Sequence, residues 1–360
     1  PPCGTYKVNK DQIIAGQKFP KGKYQIHAFG IPCSKVLGKK GLFAKFLKLK
    51  DNDPLPKPWK YLSEAVGAPK FSSGPKVGFR VQLISSLGQF AFQYNLDKSL
   101  PEAWKSEFQS IMKNLGETLP INPNINEYVQ NNVMNIYAWN SAVKNPFTEK
   151  PNMSGACICG DGPNNRWMVL EINKDVFEYD SKHRYSVIVH EYFHVYQIAL
   201  SKNSMGPKWL NEGGAKVLEA IYVQQYYGKN SLQKDLNSPD LWSDDVFTNP
   251  SLYEQSETSA KEIQPRKWMD MNYAGSAYML LTLVKELQKQ GISEQRAFEM
   301  VFRDFWLEKS KQSDWKIVFK QLFKMDVNTF YETLKTQTRN DANKLLPSES
   351  LTIQEIFVSK

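Results

Sequence analysis

The stretch VIVHEYFHVYQIAL, residues 187–200, sets two histidines four positions apart in an otherwise apolar run. Residues four apart on an α-helix lie about 40° apart around its axis, so the imidazoles of His190 and His194 can reach one ion. Glu191 projects beside them, where it can hold a water on that ion. This HExxH pattern predicts a metal site on a long helix, with zinc as the metal that its ligand types favour.

The alternative is a pair of core histidines that bond to backbone groups. With four histidines in the chain, roughly 0.003 accidental HExxH matches are expected from composition alone. The alternative is common for a lone histidine and rare for this arrangement, and a third ligand decides between the two.

WLNEGGAKVLEA, residues 209–220, begins a second helix and offers that ligand. Glu212 is expected to be exposed in its first turn, and the two glycines after it allow a close backbone approach. A helix–loop–helix return would place Glu212 beside the histidines, giving the ligand set of a catalytic zinc with one open position. Glu219 shares the face of Glu212 and could accept a hydrogen bond from a ligating imidazole, or be an ordinary solvated carboxylate.

HEYFH followed by WLNEG resembles the gluzincin metallopeptidases, and the WLNEG run resembles aminopeptidase-N-type enzymes in particular. The gap between His194 and Glu212 is one residue shorter than is usual there. The resemblance covers roughly residues 100–345 and implies a thermolysin-like domain that hydrolyses peptide bonds with zinc and Glu191. It also implies a tyrosine that stabilises the oxyanion. MNYAGSAYMLLTLVKEL, residues 271–287, offers Tyr273 for that role, with Tyr278 as the alternative and the glycine one position early.

One departure from the family concerns the substrate. Aminopeptidases of this kind carry a Gly-x-Met-Glu-Asn strand whose glutamate holds the free amine of the substrate. The chain has GACICG at 155–160, with Ile158 at the place of that carboxylate. Glu171 could substitute for it, or be an ordinary outward strand residue. An endopeptidase is therefore favoured over an aminopeptidase.

Charge divides the 360-residue chain into unlike parts. Residues 1–100 contain 16 Lys and one Arg against five acidic residues, whereas the remainder has 29 bases and 32 acids. We predict a basic, β-rich accessory domain at 1–95, an α+β catalytic domain at 96–345 and an extended tail at 346–360.

The basic region has three interpretations. It is a solvated lysine-rich surface, or it attaches to an anionic surface or polyanion through GLFAKFLKLK at 41–50, or it binds nucleic acid. One Arg among 16 Lys makes specific nucleic-acid binding unlikely. The rival to an enzyme is therefore a catalytically silent peptidase-fold protein that binds anionic surfaces through residues 1–95.

Apolar spacing also predicts the regular elements. The expected strands are 23–31, 77–84, 132–142 and 166–173. The expected helices are 101–115, 183–202, 210–227, 273–290, 294–308, 313–324 and 327–340.

The cysteines and the start of the chain bear on the cellular compartment of the protein. Cys3 and Cys33 could bridge, whereas Cys157 and Cys159 are expected to be too close in sequence to pair without strain. No apolar run is long enough for a transmembrane segment. The chain begins at Pro1 without a leader, as a mature or trimmed form would. A secreted or periplasmic location is expected.

Overall fold

In this computed structural model the chain forms two compact units, Pro1–Phe90 and Ala91–Lys360. The structure describes residues 2–51, 53–62, 69–83, 90–147, 155–162, 164–179, 181–255 and 273–357. The units divide earlier than the predicted boundary at 95/96. The reason is that the strand Ala91–Leu96 pairs in parallel with the strand Val133–Asn140 and so belongs to the sheet of the second unit.

The first unit is built on antiparallel strands. They are β1 (Pro2–Val8), β2 (Gln12–Ile14), β3 (Gln17–Phe19), β4 (Gly22–Phe29), β5 (Lys60–Tyr61), β6 (Phe71–Gly74) and β7 (Val77–Leu83), with short helices at Cys33–Val36 and Leu42–Phe46. One sheet has the order β1-β4-β7-β6-β5, and β2 pairs with β3. A disulfide joins Cys3 to Cys33. The strands predicted at 23–31 and 77–84 fall on β4 and β7, although residue 84 lies outside the described residues.

The lysine-rich segment 41–50 packs its aromatic rings into the core of the first unit. Phe43 and Phe46 are 0% and 2% exposed, within a cluster that includes Phe71 and Phe79. A segment that inserts into a lipid surface needs such rings at its surface. In this fold the two rings are committed to the core, so the anionic-surface interpretation would depend on the lysines and on the partly buried Leu42, Leu47 and Leu49.

The second unit combines a mixed sheet with a helical lobe, which confirms the coarse α+β prediction. Its strands are β8 (Ala91–Leu96), β9 (Val133–Asn140), β10 (Ala156–Gly160) and β11 (Arg166–Ile172). Their order is β10-β11-β9-β8, with β10 antiparallel to β11 and the other pairs parallel. Among the strands that the structure describes, β10 is therefore an edge of this sheet.

Cys157 and Cys159, which were expected not to pair without strain, are joined by a disulfide on β10. Alternate residues of a strand point to the same face. Their Cα atoms are 5.3 Å apart, a separation that disulfides ordinarily span.

Three long helices carry the candidate site. We name them the histidine helix (His183–Ser201), the glutamate helix (Lys208–Tyr227) and the tyrosine helix (Ala274–Lys289). The other α-helices of the described part of this unit are Glu102–Thr118, Ser231–Leu236, Asp245–Thr248, Glu294–Glu299, Phe305–Lys309, Trp315–Phe323, Val327–Lys335, Ala342–Leu345 and Ile353–Phe357. Short 3₁₀ turns occupy Pro123–Tyr128, Lys174–Phe177, Pro239–Leu241, Pro250–Glu254 and Arg339–Asp341, and a π-helical turn occupies Met300–Asp304. Over the described ranges no helix combines the length and the apolar character that crossing a bilayer requires.

The C-terminal segment differs from the extended tail predicted for 346–360. Ile353 and Ile356 are 0% and 1% exposed in a short helix, and Phe357 packs its ring 5.8 Å from that of Tyr196 on the histidine helix. The apolar residues of this segment therefore dock on the lobe, while residues 358–360 lie outside the described residues.

Glycines set the spacing of the three helices. A Cβ on Gly213 would lie 2.4 Å from the carbonyl oxygen of Ser276, which is closer than any such contact can be. A Cβ on Gly214 would lie 3.0 Å from the Phe193 ring. The two glycines after Glu212 thus let the glutamate helix approach the tyrosine helix on one side and the histidine helix on the other.

Candidate metal centre

The histidine helix is buried along almost its whole length, and its two motif histidines face the glutamate helix. His190 and His194 are 6% and 9% exposed. Their Nε2 atoms lie 3.1 Å apart, as the four-residue spacing predicts. The helix ends at Lys202 and Asn203, both with positive φ, and the chain turns there toward the glutamate helix.

Glu212 completes a triangle of possible metal ligands. Its Oε2 lies 3.2 Å from Nε2 of His190 and 3.3 Å from Nε2 of His194. These three residues form a group that could hold a metal ion. Glu212 was expected to be exposed and is only 8% exposed, because the two imidazoles enclose it and Lys208 Nζ bonds its other oxygen at 2.7 Å. Burial raises the pKa of Glu212, but the neighbouring cationic groups, His194 foremost, hold it well below its usual range.

Glu219 lies behind His190 and is buried, so the solvated alternative is excluded. Its Oε2 lies 3.0 Å from Nδ1 of His190. Its Oε1 accepts a hydrogen bond from Lys216 at 2.8 Å, and Lys216 also pairs with Asp235 at 2.8 Å. Burial raises the pKa of Glu219, but Lys216 and the bond to His190 outweigh that effect and lower it to about 2.

Gln197 performs the matching task for His194. Its Oε1 lies 2.8 Å from Nδ1 of His194, and its Nε2 donates to the carbonyl oxygen of Asn211 at 3.1 Å. Each imidazole thus has an acceptor at Nδ1, which leaves Nε2 to face the ligand triangle. Sequence reasoning missed Gln197, Lys216 and Asp235. The only sequence indication was the position of Gln197, one helical turn beyond His194.

Glu191 takes no part in the triangle. Its side chain is 4% exposed, and its Oε2 has no hydrogen-bond partner among the described residues. Burial is the main cause that raises its pKa, because desolvation disfavours the charged form. A buried carboxylate with an unpaired oxygen at a site of this kind is suited to receive a proton from an incoming group.

The two candidate tyrosines lie in different surroundings. Tyr273 precedes the tyrosine helix, its ring centre is 5.9 Å from that of His190, and it lines the same cavities as Glu191. Tyr278 is fully buried, and its hydroxyl donates to Gln337 Oε1 at 2.9 Å. Of the two hydroxyls, only that of Tyr273 belongs to a residue at the metal site.

Two cavities adjoin His190, and both are lined by Ala156, His190, Glu191 and Tyr273. The first, of about 450 Å³, extends past Gly155, Glu171, Val187 and Lys216, and we call it the Glu171 cavity. The second, of about 460 Å³, extends past Ile158, Arg166, Lys208 and Asn211, and we call it the Arg166 cavity.

The strand residues named in the sequence lie at these cavities. Ile158 lines the Arg166 cavity. It stands at the place where the aminopeptidase pattern has an amine-binding carboxylate. Glu171 lines the other cavity, where its Oε2 accepts a hydrogen bond from the backbone N–H of Gly155 at 2.8 Å. The edge strand β10 thus passes both cavities.

Comparison of the chain with protein-family models, with curated proteins and with solved structures finds no match in any of the three.

Proposed function

We propose that the chain is a zinc metallopeptidase of the gluzincin type, with a thermolysin-like arrangement of edge strand, histidine helix and glutamate helix. One observation carries the proposal: the ligand atoms of His190, His194 and Glu212 are 3.1, 3.2 and 3.3 Å from one another. A tetrahedral zinc with bonds of about 2.0–2.1 Å separates its ligands by about 3.3–3.4 Å. Three protein ligands of this type leave the fourth position open, as catalytic zinc sites do.

His190, His194 and Glu212 would hold the zinc ion, which would supply Lewis acidity and lower the pKa of water to about 7. Glu191 then takes a proton from the attacking water and later donates it to the leaving amine. Its raised pKa favours the first of these transfers, because a carboxylate that is harder to ionise is a better base. The Tyr273 hydroxyl donates a hydrogen bond to the substrate carbonyl oxygen as that oxygen gains negative charge.

An endopeptidase remains favoured over an aminopeptidase. Two cavities share Glu191 in their lining, so there is room for peptide beyond the terminal residue that an aminopeptidase holds. Among the described strands β10 pairs with β11 alone, so an extended peptide could pair along its other edge. Ile158 offers no charge for a terminal amine. The two disulfides support a secreted or periplasmic location, because such bonds persist in oxidising compartments.

The test is a set of single substitutions in the full chain. Glu191→Gln should retain zinc and lose peptide hydrolysis, since the amide cannot take the proton, whereas His194→Ala should lose both. Glu332→Gln is the matched control, because that glutamate is 68% exposed on a remote helix. Zinc content by mass spectrometry and digestion of a peptide library provide the readouts.

Full activity in Glu191→Gln would refute the role of that residue. A zinc-loaded parent chain that cuts no peptide would favour the silent binding protein instead. Polyanion or anionic-liposome binding by the full chain, lost at high salt, would then be the next measurement.

A further inference from the structure

Arg166 is the unusual residue of the cavity that bears its name. It begins β11 and lines the cavity together with His190, Glu191 and Ile158. Its Nε is buried without a hydrogen-bond partner, and no carboxylate of the described residues forms an ion pair with it. Burial is the main cause that lowers its pKa, since desolvation disfavours a guanidinium that has no counter-ion.

Strand alternation explains why Arg166 points to this side of the sheet. Trp167 and Val169 belong to a buried cluster with Trp139 on one face. Because successive side chains of a strand alternate, Arg166 and Met168 lie on the opposite face. The histidine helix packs against β10 and β11, and the residues of the cavity show that it covers this face.

The other cation of the cavity is already neutralised. Lys208 Nζ lies 2.7 Å from Oε1 of Glu212, the same carboxylate that completes the ligand triangle. Arg166 therefore contributes positive charge that the described residues do not balance. A half-buried guanidinium gains most from an anion that arrives with a ligand, and its planar fork suits a carboxylate.

We propose that Arg166 determines substrate specificity by binding a peptide carboxylate in this cavity, close to the bond that is cut. The proposal rests on the peptidase function proposed above and names its substrate class. An enzyme that binds the amine of its substrate has a carboxylate at this place. This chain has Ile158 there and Arg166 in the same cavity, so the recognised group is negatively charged instead of positively charged. The carboxylate comes from a Glu or Asp side chain or from the C-terminus of the peptide.

The experiment uses four versions of one quenched peptide with the full, zinc-loaded chain. Three are amidated at the C-terminus and carry Glu, Gln or Lys at a scanned position, and the fourth carries Gln and a free C-terminus. The parent chain should cut one of the two carboxylate peptides at least about 10-fold more efficiently, in kcat/KM, than the amidated Gln peptide. Which of the two is preferred identifies the source of the carboxylate.

Arg166→Gln should bring that ratio to about one, and Arg166→Glu should favour the Lys peptide. Lys113→Gln removes one charge from an exposed position elsewhere in the unit and should leave the ratio unchanged. A parent chain that cuts all four peptides alike would overturn the proposal, as would a preference that survives in Arg166→Gln.

A binding measurement keeps this proposal separate from the peptidase function. Calorimetry on the Glu191→Gln chain compares the same peptides without turnover, and the preferred carboxylate peptide should bind about 10-fold more tightly than the neutral one only when Arg166 is present. If the parent chain cuts no peptide but this binding pattern is observed, the peptidase function is refuted and the carboxylate site is retained. If Arg166→Gln does not fold, Arg166→Lys, which keeps the charge and loses the fork, should weaken the preference; full preference there would overturn the bidentate contact.

Discussion

Removing the carboxylate of Glu219 should weaken metal binding although Glu219 is not a ligand. Its Oε2 lies 3.0 Å from Nδ1 of His190, where it can accept a hydrogen bond and so hold the ring with Nε2 toward the ligand triangle. Loss of such a partner typically costs about 10-fold to 100-fold in metal affinity, or about 1.4–2.7 kcal/mol.

The structure indicates where each variant falls in that range. Glu219→Gln retains an oxygen that can accept from Nδ1, so the loss should be near about 10-fold. Glu219→Ala removes the acceptor altogether and should approach about 100-fold. Lys216 keeps Asp235 at 2.8 Å in both variants, so neither leaves a buried lysine wholly unpaired.

The assay is competition for zinc with a chromogenic chelator at fixed pH, using the full chain, with circular dichroism to confirm folding. Glu332→Gln is again the control. If both Glu219 variants hold zinc within about twofold of the parent, the assigned role of this carboxylate is refuted.

Three further outcomes follow from contacts at the site. Tyr273→Phe should lower kcat with zinc retained, whereas Tyr278→Phe should leave kcat unchanged and cost about 1 kcal/mol in the free energy of unfolding, because it loses the hydrogen bond to Gln337. The opposite pattern in kinetics and thermal melts would exchange the two assignments. Gly213→Ala should destabilise the fold by about 1–3 kcal/mol in denaturant titrations, since its Cβ would meet backbone of the tyrosine helix at 2.4 Å; an unchanged midpoint would contradict that close packing. Saturating zinc should raise the free energy of unfolding by about 4 kcal/mol at a thousandfold excess over Kd, and a chelated chain that melts like the loaded one would contradict binding to the native state.

The helical lobe could largely be predicted from the sequence, because long amphipathic or apolar periods report burial directly. The expected helices at 183–202, 210–227 and 273–290 match the three site helices closely. The proximity of the three ligand residues could be predicted for the same reason. It depends on the spacing of His190, His194 and Glu212 along two helices and on one return between those helices.

Features that depend on long-range register were not predictable. Asp235 reaches Lys216 from the next helix along the chain, and no local pattern marks it. In the sequence, Arg166 is an ordinary basic residue at the start of a strand. Its side chain lines the metal cavity because the histidine helix covers that face of β11, which no local pattern shows. The domain boundary was misplaced because the strand Ala91–Leu96 pairs with residues some forty positions away.

The charges around the ligand triangle predict that zinc binding depends on pH. Four carboxylates and two lysines meet there, namely those of Glu191, Glu212, Glu219, Asp235, Lys208 and Lys216. When all six are ionised and no metal is bound, these six side chains alone carry a formal charge of −2. Although burial lowers the pKa of His190, its bonds to the two nearest carboxylates raise it from 6.5 to about 10, and burial also raises the pKa of Glu191.

Both shifts favour a bound proton in the metal-free protein, and a divalent ion supplies the same two charges. Coordination requires a neutral imidazole, so zinc must displace the proton that the raised pKa of His190 favours at neutral pH. Zinc binding should therefore release at least one proton, and the apparent affinity should rise with pH across the neutral range. Calorimetry in two buffers of different ionisation enthalpy measures this release directly. Identical binding enthalpies in the two buffers would show that protons do not balance the buried carboxylates of the metal-free site.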